Sequence, residues 1–374
     1  MTIKTITCHD VYNYGASLQA FALLHYLETE GHNVEIIDYK PEYIDFPYKI
    51  SSFVHPGSPV KKYTDWCVVV RLLYSIKRFL WYLPSWKRKK AFDRFTKQYL
   101  KLTKKYTNNE DLINNTPEAD VYIVGSDQVW NSVTMLNGTD PAFYLQFVPE
   151  AKKKISYAAS FGATSISELH RSDILKWLSK LDAISVREKA GVDILKRLGL
   201  NGTHVCDPVF LLNEKDWRTS LVIPPQRDGY VLIYNLTTIN EQLVKDAQIT
   251  AKLLGVKLIS VSPMSIREAD ENLSNVGPDV FVSLIFNASY VFTNSFHATA
   301  FSIISHRQFC TYNYHSASNS SRMYSVLSEM GLLERFNVTD IEQVLNSPID
   351  YEKRAVAIEQ SVNNGREWLL NNIK

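Results

Sequence analysis

Ile3-Lys4-Thr5-Ile6-Thr7-Cys8 begins the chain as a strand-like run, and a polar loop around Tyr12, Asn13 and Gly15 follows it. Leu18, Ala22, Leu23 and Leu27 then recur at helical spacing, and Val34-Glu35-Ile36-Ile37 returns to an apolar run. Strand, helix and strand in immediate succession make a βαβ unit, because a short polar loop leads from the first strand into the helix. Gly31 stands just past the helix, where a residue that tolerates the left-handed conformation ends it at little cost.

The same alternation continues outward from this unit. Strands are expected at Val121–Val124, Ile155–Ala159, Ala183–Val186 and His204–Cys206, with helical spacing over Ile174–Leu181 and Ala190–Leu198 between them. Continuous apolar strands joined by helices predict one parallel sheet covered on both faces. Pro224-Pro225 with Arg227, Asp228 and Gly229 reads as a linker. A second alternation starts at once: strand Tyr230–Leu236, helix Glu241–Leu254, strand Val256–Val261, helix Pro278–Asn287, strand Tyr290–Thr293, a helix from about Phe296 to Ser305 and an apolar stretch Phe309–Tyr312. The expected organisation is α/β throughout: a first domain over residues 1–222, a second over 229–345, and a C-terminal helix in 346–374 that lies back across the junction. Ligands of open α/β sheets bind outside the carboxyl ends of the strands, so the cleft between two such domains is the expected site.

With 374 residues, 45% of them hydrophobic and 21% charged, the chain is long enough for two cores. A formal charge of +2 gives no general attraction to nucleic acid. Cys8, Cys67, Cys206 and Cys310 are far apart and form no paired motif, which argues against a zinc site or a disulfide framework. The first strand begins almost at Met1, so a signal sequence has no room and a cytoplasmic setting is expected. One local cluster stands out. From Lys61 to Lys105 there are 14 Lys and Arg against two Asp, interleaved with Trp66, Tyr74, Phe79, Trp81, Tyr82 and Trp86. This insertion, about 61–105, suits peripheral contact with an anionic membrane surface better than a spanning helix, because Arg71, Lys77 and Arg78 interrupt its apolar run. A pair of amphipathic helices with solvated basic faces is the alternative, and RNA binding a weaker third.

Four loops at expected strand ends carry candidate chemistry. Thr293-Asn294-Ser295-Phe296-His297-Ala298 places His297 in the first turn of a helix, where free backbone N–H groups bind anions. The helix dipole keeps an isolated imidazole neutral there, and a bound dianion raises its pKa. A histidine that merely closes the turn is the other reading. His9, Asn13, Tyr14 and Gly15 lie on the first strand–helix loop and suit sugar hydroxyls, although Tyr12 and Tyr14 also read as packing at the domain edge. Ser126-Asp127-Gln128-Val129-Trp130 follows a third strand: Asp127 could accept a proton from a hydroxyl or cap a helix, and Trp130 could stack on a pyranose. Arg187 emerges beside Glu188, shaped either for a carboxylate or phosphate or for an internal ion pair. Cys206-Asp207-Pro208 is a weaker fifth loop, and Arg322 is a second anion ligand in reserve. No GxGxxG follows the first strand, and no GxxxxGK[ST] or HExxH occurs.

Asn13-Tyr14-Gly15-Ala16, Val124-Gly125-Ser126-Asp127-Gln128-Val129-Trp130-Asn131, Ser156-Tyr157-Ala158-Ala159-Ser160-Phe161-Gly162, Ser185-Val186-Arg187-Glu188, Asp207-Pro208 and Thr293-Asn294-Ser295-Phe296-His297 occur in that order. Together they resemble the polysaccharide pyruvyl transferase family, from Ile3 to about Leu333. The resemblance implies two Rossmann-like domains whose parallel sheets face a cleft, as in the GT-B glycosyltransferase architecture. It implies transfer of pyruvate from phosphoenolpyruvate to a sugar of a bacterial surface polysaccharide or exopolysaccharide, commonly as a ketal. His297 would be the acid catalyst, with Asp127 orienting or deprotonating the acceptor. Arg187, Ser295, Asn294 and Arg322 would bind the donor, and His9, Asn13, Tyr14, Gly15, Ser126, Gln128 and Trp130 the acceptor, free or lipid-linked. No metal or other cofactor is implied, and no nucleic-acid partner. Members carry an arginine two residues before the histidine, where this chain has Ser295. A glycosyltransferase using a nucleotide sugar and a noncatalytic carbohydrate-binding protein are the competing readings.

Overall fold

A computed structural model describes residues 1–45, 68–69, 72, 86–133, 136–221, 229–236, 238–313 and 317–374. Residues 224–228 of the linker and about half of the basic insertion, including Trp66, Tyr74, Phe79, Trp81 and Tyr82, lie outside them.

Among the described residues, twelve strands form two wholly parallel sheets. The first contains β1 (Thr2–Ile6), β2 (Asn33–Tyr39), β3 (Leu102–Tyr106), β4 (Val121–Val124), β5 (Lys153–Ala159), β6 (Ala183–Val186) and β7 (Thr203–His204), in the order β3-β2-β1-β4-β5-β6-β7. The second contains β8 (Tyr230–Tyr234), β9 (Lys257–Ser260), β10 (Glu271–Asn272), β11 (Tyr290–Thr293) and β12 (Gln308–Thr311), in the order β10-β9-β8-β11-β12. Every residue of β4, β8 and β11 is buried, as strands covered on both faces require. The two sheets define two Rossmann-like α/β units.

The longer helices are α1 (Tyr14–Thr29), α2 (Trp86–Tyr99), α3 (Arg171–Leu178), α4 (Lys189–Arg197), α5 (Glu241–Leu254), α6 (Pro278–Phe286), α7 (Phe296–Ile304), α8 (Ala317–Glu329) and α9 (Tyr351–Asn372). α5 runs over the residues its periodicity predicts and ends on Gly255 at φ 64°. Two expectations need correction. β7 covers Thr203–His204 rather than His204–Cys206, because the chain leaves the sheet ahead of Asp207, which caps the 3₁₀ segment Pro208–Leu211 by accepting from Val209 N. β3 falls within the basic insertion, where Leu-Thr-Lys-Lys-Tyr has no apolar run; an edge strand keeps exposed lysines that oppose further pairing.

α1 is buried almost all round because it is packed by both halves of the molecule. Tyr14 stacks on Phe281 of α6 at 4.2 Å and on Phe92 of α2 at 5.1 Å, and its hydroxyl donates to Val276 O. Arg88 of α2 donates to Tyr14 Oη at 3.1 Å and to Ser274 O at 3.0 Å, while Arg94 pairs with Asp279 at 2.7 Å. At the other end α9 bridges the halves. Tyr351 donates to Arg307 O at 2.7 Å, and Arg366 Nε donates to Leu211 O at 3.2 Å. These contacts bring the carboxyl ends of β1, β4 and β6 against the turn that follows β11.

Candidate active site

β11 delivers Thr293 fully buried, and Ser295 then caps α7 by accepting from Ala298 N. The cap directs the backbone so that His297 falls in the first turn, with only 8% of its surface exposed. From the other sheet, β6 ends at Arg187 and β7 leads to Asp207, both buried. Arg187 Nη1 donates to Asp207 Oδ2 at 2.7 Å, and Ser126 Oγ donates to the same oxygen at 3.0 Å. His297 Nε2 stands 3.8 Å from that oxygen, too far for a hydrogen bond, and makes none to the protein. Arg187 Nη2 lies 3.8 Å from Asp127 Oδ1, and its guanidinium lies 4.9 Å from the centre of the Phe296 ring. Neither Nε nor Nη2 of Arg187 has a hydrogen-bond acceptor.

The electrostatics follow from burial. Loss of water pushes the His297 pKa down to about 4, and Arg187 and Arg322 push the same way, against the raising effect of Asp207 and Asp127. Arg322, buried at α8, is lowered to about 10 by burial and by the Arg187 charge. Burial opposes ionisation of Asp207 too, but Arg187 and His297 outweigh it and hold the carboxyl below its ordinary value. Arg187 is likewise kept charged against its burial by Asp207, Glu188 and Asp127. Arg187 and Arg322 thus lie buried among the carboxylates of Asp207, Asp127 and Glu188 and beside a neutral imidazole, and two donor atoms of Arg187 lack acceptors. These unmet donors can bind the oxygens of an anion, since ordinary buried donors are paired.

The family model for polysaccharide pyruvyl transferase matches residues 13–316, which spans every element of this site except the arginine of α8. The chain belongs to the polysaccharide pyruvyl transferase family. It is accordingly a transferase of polysaccharide biosynthesis, whose acceptor is a sugar or polysaccharide. No curated protein matches the chain. Solved structures similar to this pyruvyl transferase include one described as trehalose-6-phosphate from E. coli bound with UDP-2-fluoro glucose, at 8% identity, covering 100% of this chain and 99% of that one, with a TM-score of 0.49. Another is UDP-GlcNAc 2-epimerase from Neisseria meningitidis bound to UDP-GlcNAc, at 9% identity, 100% and 99% coverage and a TM-score of 0.44.

In this pyruvyl transferase the residues singled out from sequence fall into three groups. His297, Arg187, Asp127, Ser126, Gly15 and Arg322 are brought together. Asp127 caps no helix; it takes a left-handed φ of 71°, which strains an ordinary residue but suits Asp, and pairs with Ala159 across a single bridge. Gly15 lies so close to His297 that a Cβ there would stand 1.9 Å from Nδ1. Asn13, Gln128, Ser295 and Asn294 form the second group, engaged in structure. Asn13 caps α1 by accepting from Gly15 N at 2.9 Å, and Gln128 Oε1 accepts from Asn131 Nδ2 at 2.8 Å. The Asn294 amide is spent on the loop after β8: its Oδ1 accepts from Leu236 N at 2.7 Å, and its Nδ2 donates to Asn235 Oδ1 at 3.2 Å.

The third group corrects the reading. Trp130 is fully buried, stacked on Tyr144 at 5.6 Å with its indole N–H donated to Phe143 O at 2.9 Å, so it offers no face to a sugar. Tyr14 is fully buried in the aromatic stack with Phe281 and Phe92. His9 is buried against Asp38, 3.2 Å from its Oδ1. Asp207 is the residue the sequence undervalued. Its loop showed only a turn-forming Asp-Pro, and nothing local reveals that the carboxylate meets Arg187, 20 positions earlier, and His297 on the other sheet. Among the described residues, no three His, Cys, Asp or Glu side chains gather so as to hold a metal ion.

Proposed function

We propose that the chain transfers the pyruvyl group of phosphoenolpyruvate to two hydroxyls of a sugar, forming a ketal, and that it works in the cytoplasm. The observation that carries the reading is Arg187, whose Nε and Nη2 are buried without hydrogen-bond acceptors beside the unpartnered Nε2 of His297. Donor phosphate and carboxylate would satisfy these groups together with Arg322 and the backbone N–H groups that begin α7. Ser295 leaves the position of the family arginine to a helix cap, and Arg322 supplies the second cation from α8 instead.

The chemistry then follows from the charge change at His297. The donor's negative charge raises the histidine pKa from about 4 toward neutrality, so the imidazole takes up a proton as donor binds. His297 gives that proton to the methylene carbon of phosphoenolpyruvate, which becomes the methyl group. The adjacent carbon gains oxocarbenium character, an acceptor hydroxyl attacks it, and Asp127 takes the hydroxyl proton. The carbon–oxygen bond to phosphate then breaks, with Arg187 holding the leaving dianion. Attack of a second hydroxyl, whose proton leaves with phosphate, closes the ketal. A cavity of about 10 Å³ lined by Arg187, Asp207, Phe296 and Arg322 adjoins His297 without being lined by it, and it is too small to hold the donor.

On α2, Lys87, Lys90 and Lys97 are exposed and suit an anionic membrane surface, although Arg88 and Arg94 are spent on contacts between the halves. Among the described residues, no helix is long and apolar enough to cross a membrane. Flotation with anionic liposomes tests this contact, and no binding at low salt removes it.

The deciding experiment measures phosphate released from phosphoenolpyruvate by wild type and His297→Ala with a panel of free and lipid-linked oligosaccharides. Acceptor-dependent release abolished in the variant is the expected result. Absence of release with every acceptor, or nucleotide release from a sugar nucleotide in its place, overturns the donor assignment.

A further inference from the structure

A depression of about 730 Å³ lies at the carboxyl ends of β8 and β9, within the size range of ligand sites and outside the machinery described above. Thr238, Ile239 and Glu241 line one wall, and Met264, Arg267 and Glu268 the other. Both walls are held in place by asparagine amides. On the first, Asn235 Nδ2 donates to Thr238 O at 3.0 Å and Asn235 Oδ1 accepts from Asn240 N at 3.1 Å. On the second, Asn272 Oδ1 accepts from Ile266 N at 2.8 Å and its Nδ2 donates to Ile266 O at 3.0 Å, while the Ile266 side chain is sunk in the core. The walls are thus built in advance, which lowers the ordering cost of binding.

The lining selects a ligand class. Two carboxylates against one guanidinium leave an excess negative charge, which opposes phosphates and nucleotides. Glutamates accept from hydroxyls, Arg267 and Thr238 donate to them, and Ile239 with the half-exposed Met264 offers apolar surface for C–H faces. Hydroxyl-rich rings with apolar faces answer this combination. Asn294 ties the first wall to the turn that carries His297, since its amide holds both Leu236 N and Asn235 Oδ1. We infer that this depression binds a neutral sugar unit of a glycan chain, remote from the unit that reacts. That the glycan is the acceptor rests on the reading above; that the depression binds neutral saccharide does not.

The test is binding rather than turnover, so its failure and that of the phosphoenolpyruvate reading are distinguishable. Saturation-transfer NMR on the full chain would use neutral gluco-, galacto- and manno-oligosaccharides of two to six units, with UDP and inorganic phosphate in separate samples. Wild type is expected to bind at least one of the oligosaccharides. Met264→Ala with Arg267→Ala should weaken that binding about tenfold, the scale of one lost charged hydrogen bond and an apolar face. All side chains changed are exposed, and an unaltered thermal midpoint shows that the fold survives. No binding of any neutral oligosaccharide overturns the inference. So does binding that the double variant leaves unaltered, or binding of UDP or phosphate that the double variant abolishes.

Discussion

Gly15 and His297 are pressed together across the two halves of the molecule: a methyl group at Gly15 would lie 1.9 Å from His297 Nδ1. Helices α1 and α7, one from each sheet's half, therefore meet at their N-termini, and the absence of a side chain at Gly15 lets the imidazole sit between them.

Gly15→Ala is the direct consequence. The helix accepts alanine readily, so the fold should persist, while the ring is driven from its place. Phosphate release should fall about a hundredfold, as misplacement of a reacting group by about 1 Å produces. Retention of more than half the wild-type rate would show that the contact does not position the histidine.

Asp207→Asn removes the carboxylate that Arg187, Ser126 and His297 share. A buried guanidinium is left undercompensated, and stability should fall by about 3 kcal/mol in urea unfolding. Because Asp207 raises the His297 pKa, its loss should also move the alkaline limb of the kcat profile to lower pH. An unshifted limb would count against His297 as the proton donor.

Arg322→Met separates donor binding from folding. Burial and the Arg187 charge already oppose the Arg322 cation, which is lowered to about 10. Its replacement should raise the KM for donor about tenfold or more while the chain still folds. A destabilised variant with normal donor KM would make Arg322 a structural cation instead.

His297 also contributes a pH dependence to stability. Its folded pKa of about 4 lies below the ordinary 6.5, so between these values the unfolded chain binds more protons than the folded one. Stability conferred by the neutral imidazole is complete above about pH 6.5 and is lost as pH falls toward 4, by on the order of 3 kcal/mol. Unfolding free energies of wild type and His297→Gln, measured across that window, should differ in slope; parallel curves would refute the depressed pKa.

Trp130→Phe distinguishes core from sugar platform. With the indole buried and hydrogen-bonded to Phe143 O, the change should cost about 1 to 3 kcal/mol of stability and leave the acceptor KM unchanged. An acceptor KM raised tenfold would return Trp130 to the binding surface.

These outcomes also mark how far the sequence could be read. Strands such as Val121–Val124 and Tyr290–Thr293, and the helix Glu241–Leu254, were legible because their signals are local: continuous apolar runs, helical spacing and a terminal glycine lie within the segment that adopts the structure. The position of His297 in a first helical turn was legible for the same reason. β3 was not, since an edge strand carries lysines in place of an apolar run. Trp130 looked like a ligand-facing aromatic because composition does not say which side of a loop faces the core, and packing against Tyr144 decided it; for Tyr14 the contact with Phe281 selects the packing reading that the loop had also given. The sequence alone determined the two parallel α/β units, the order of their loops and the family. Only the tertiary structure joined Asp207 to Arg187 and His297, set Gly15 against the imidazole and left Arg187 with unmet donors, because burial and charge pairing arise between segments that no local pattern links.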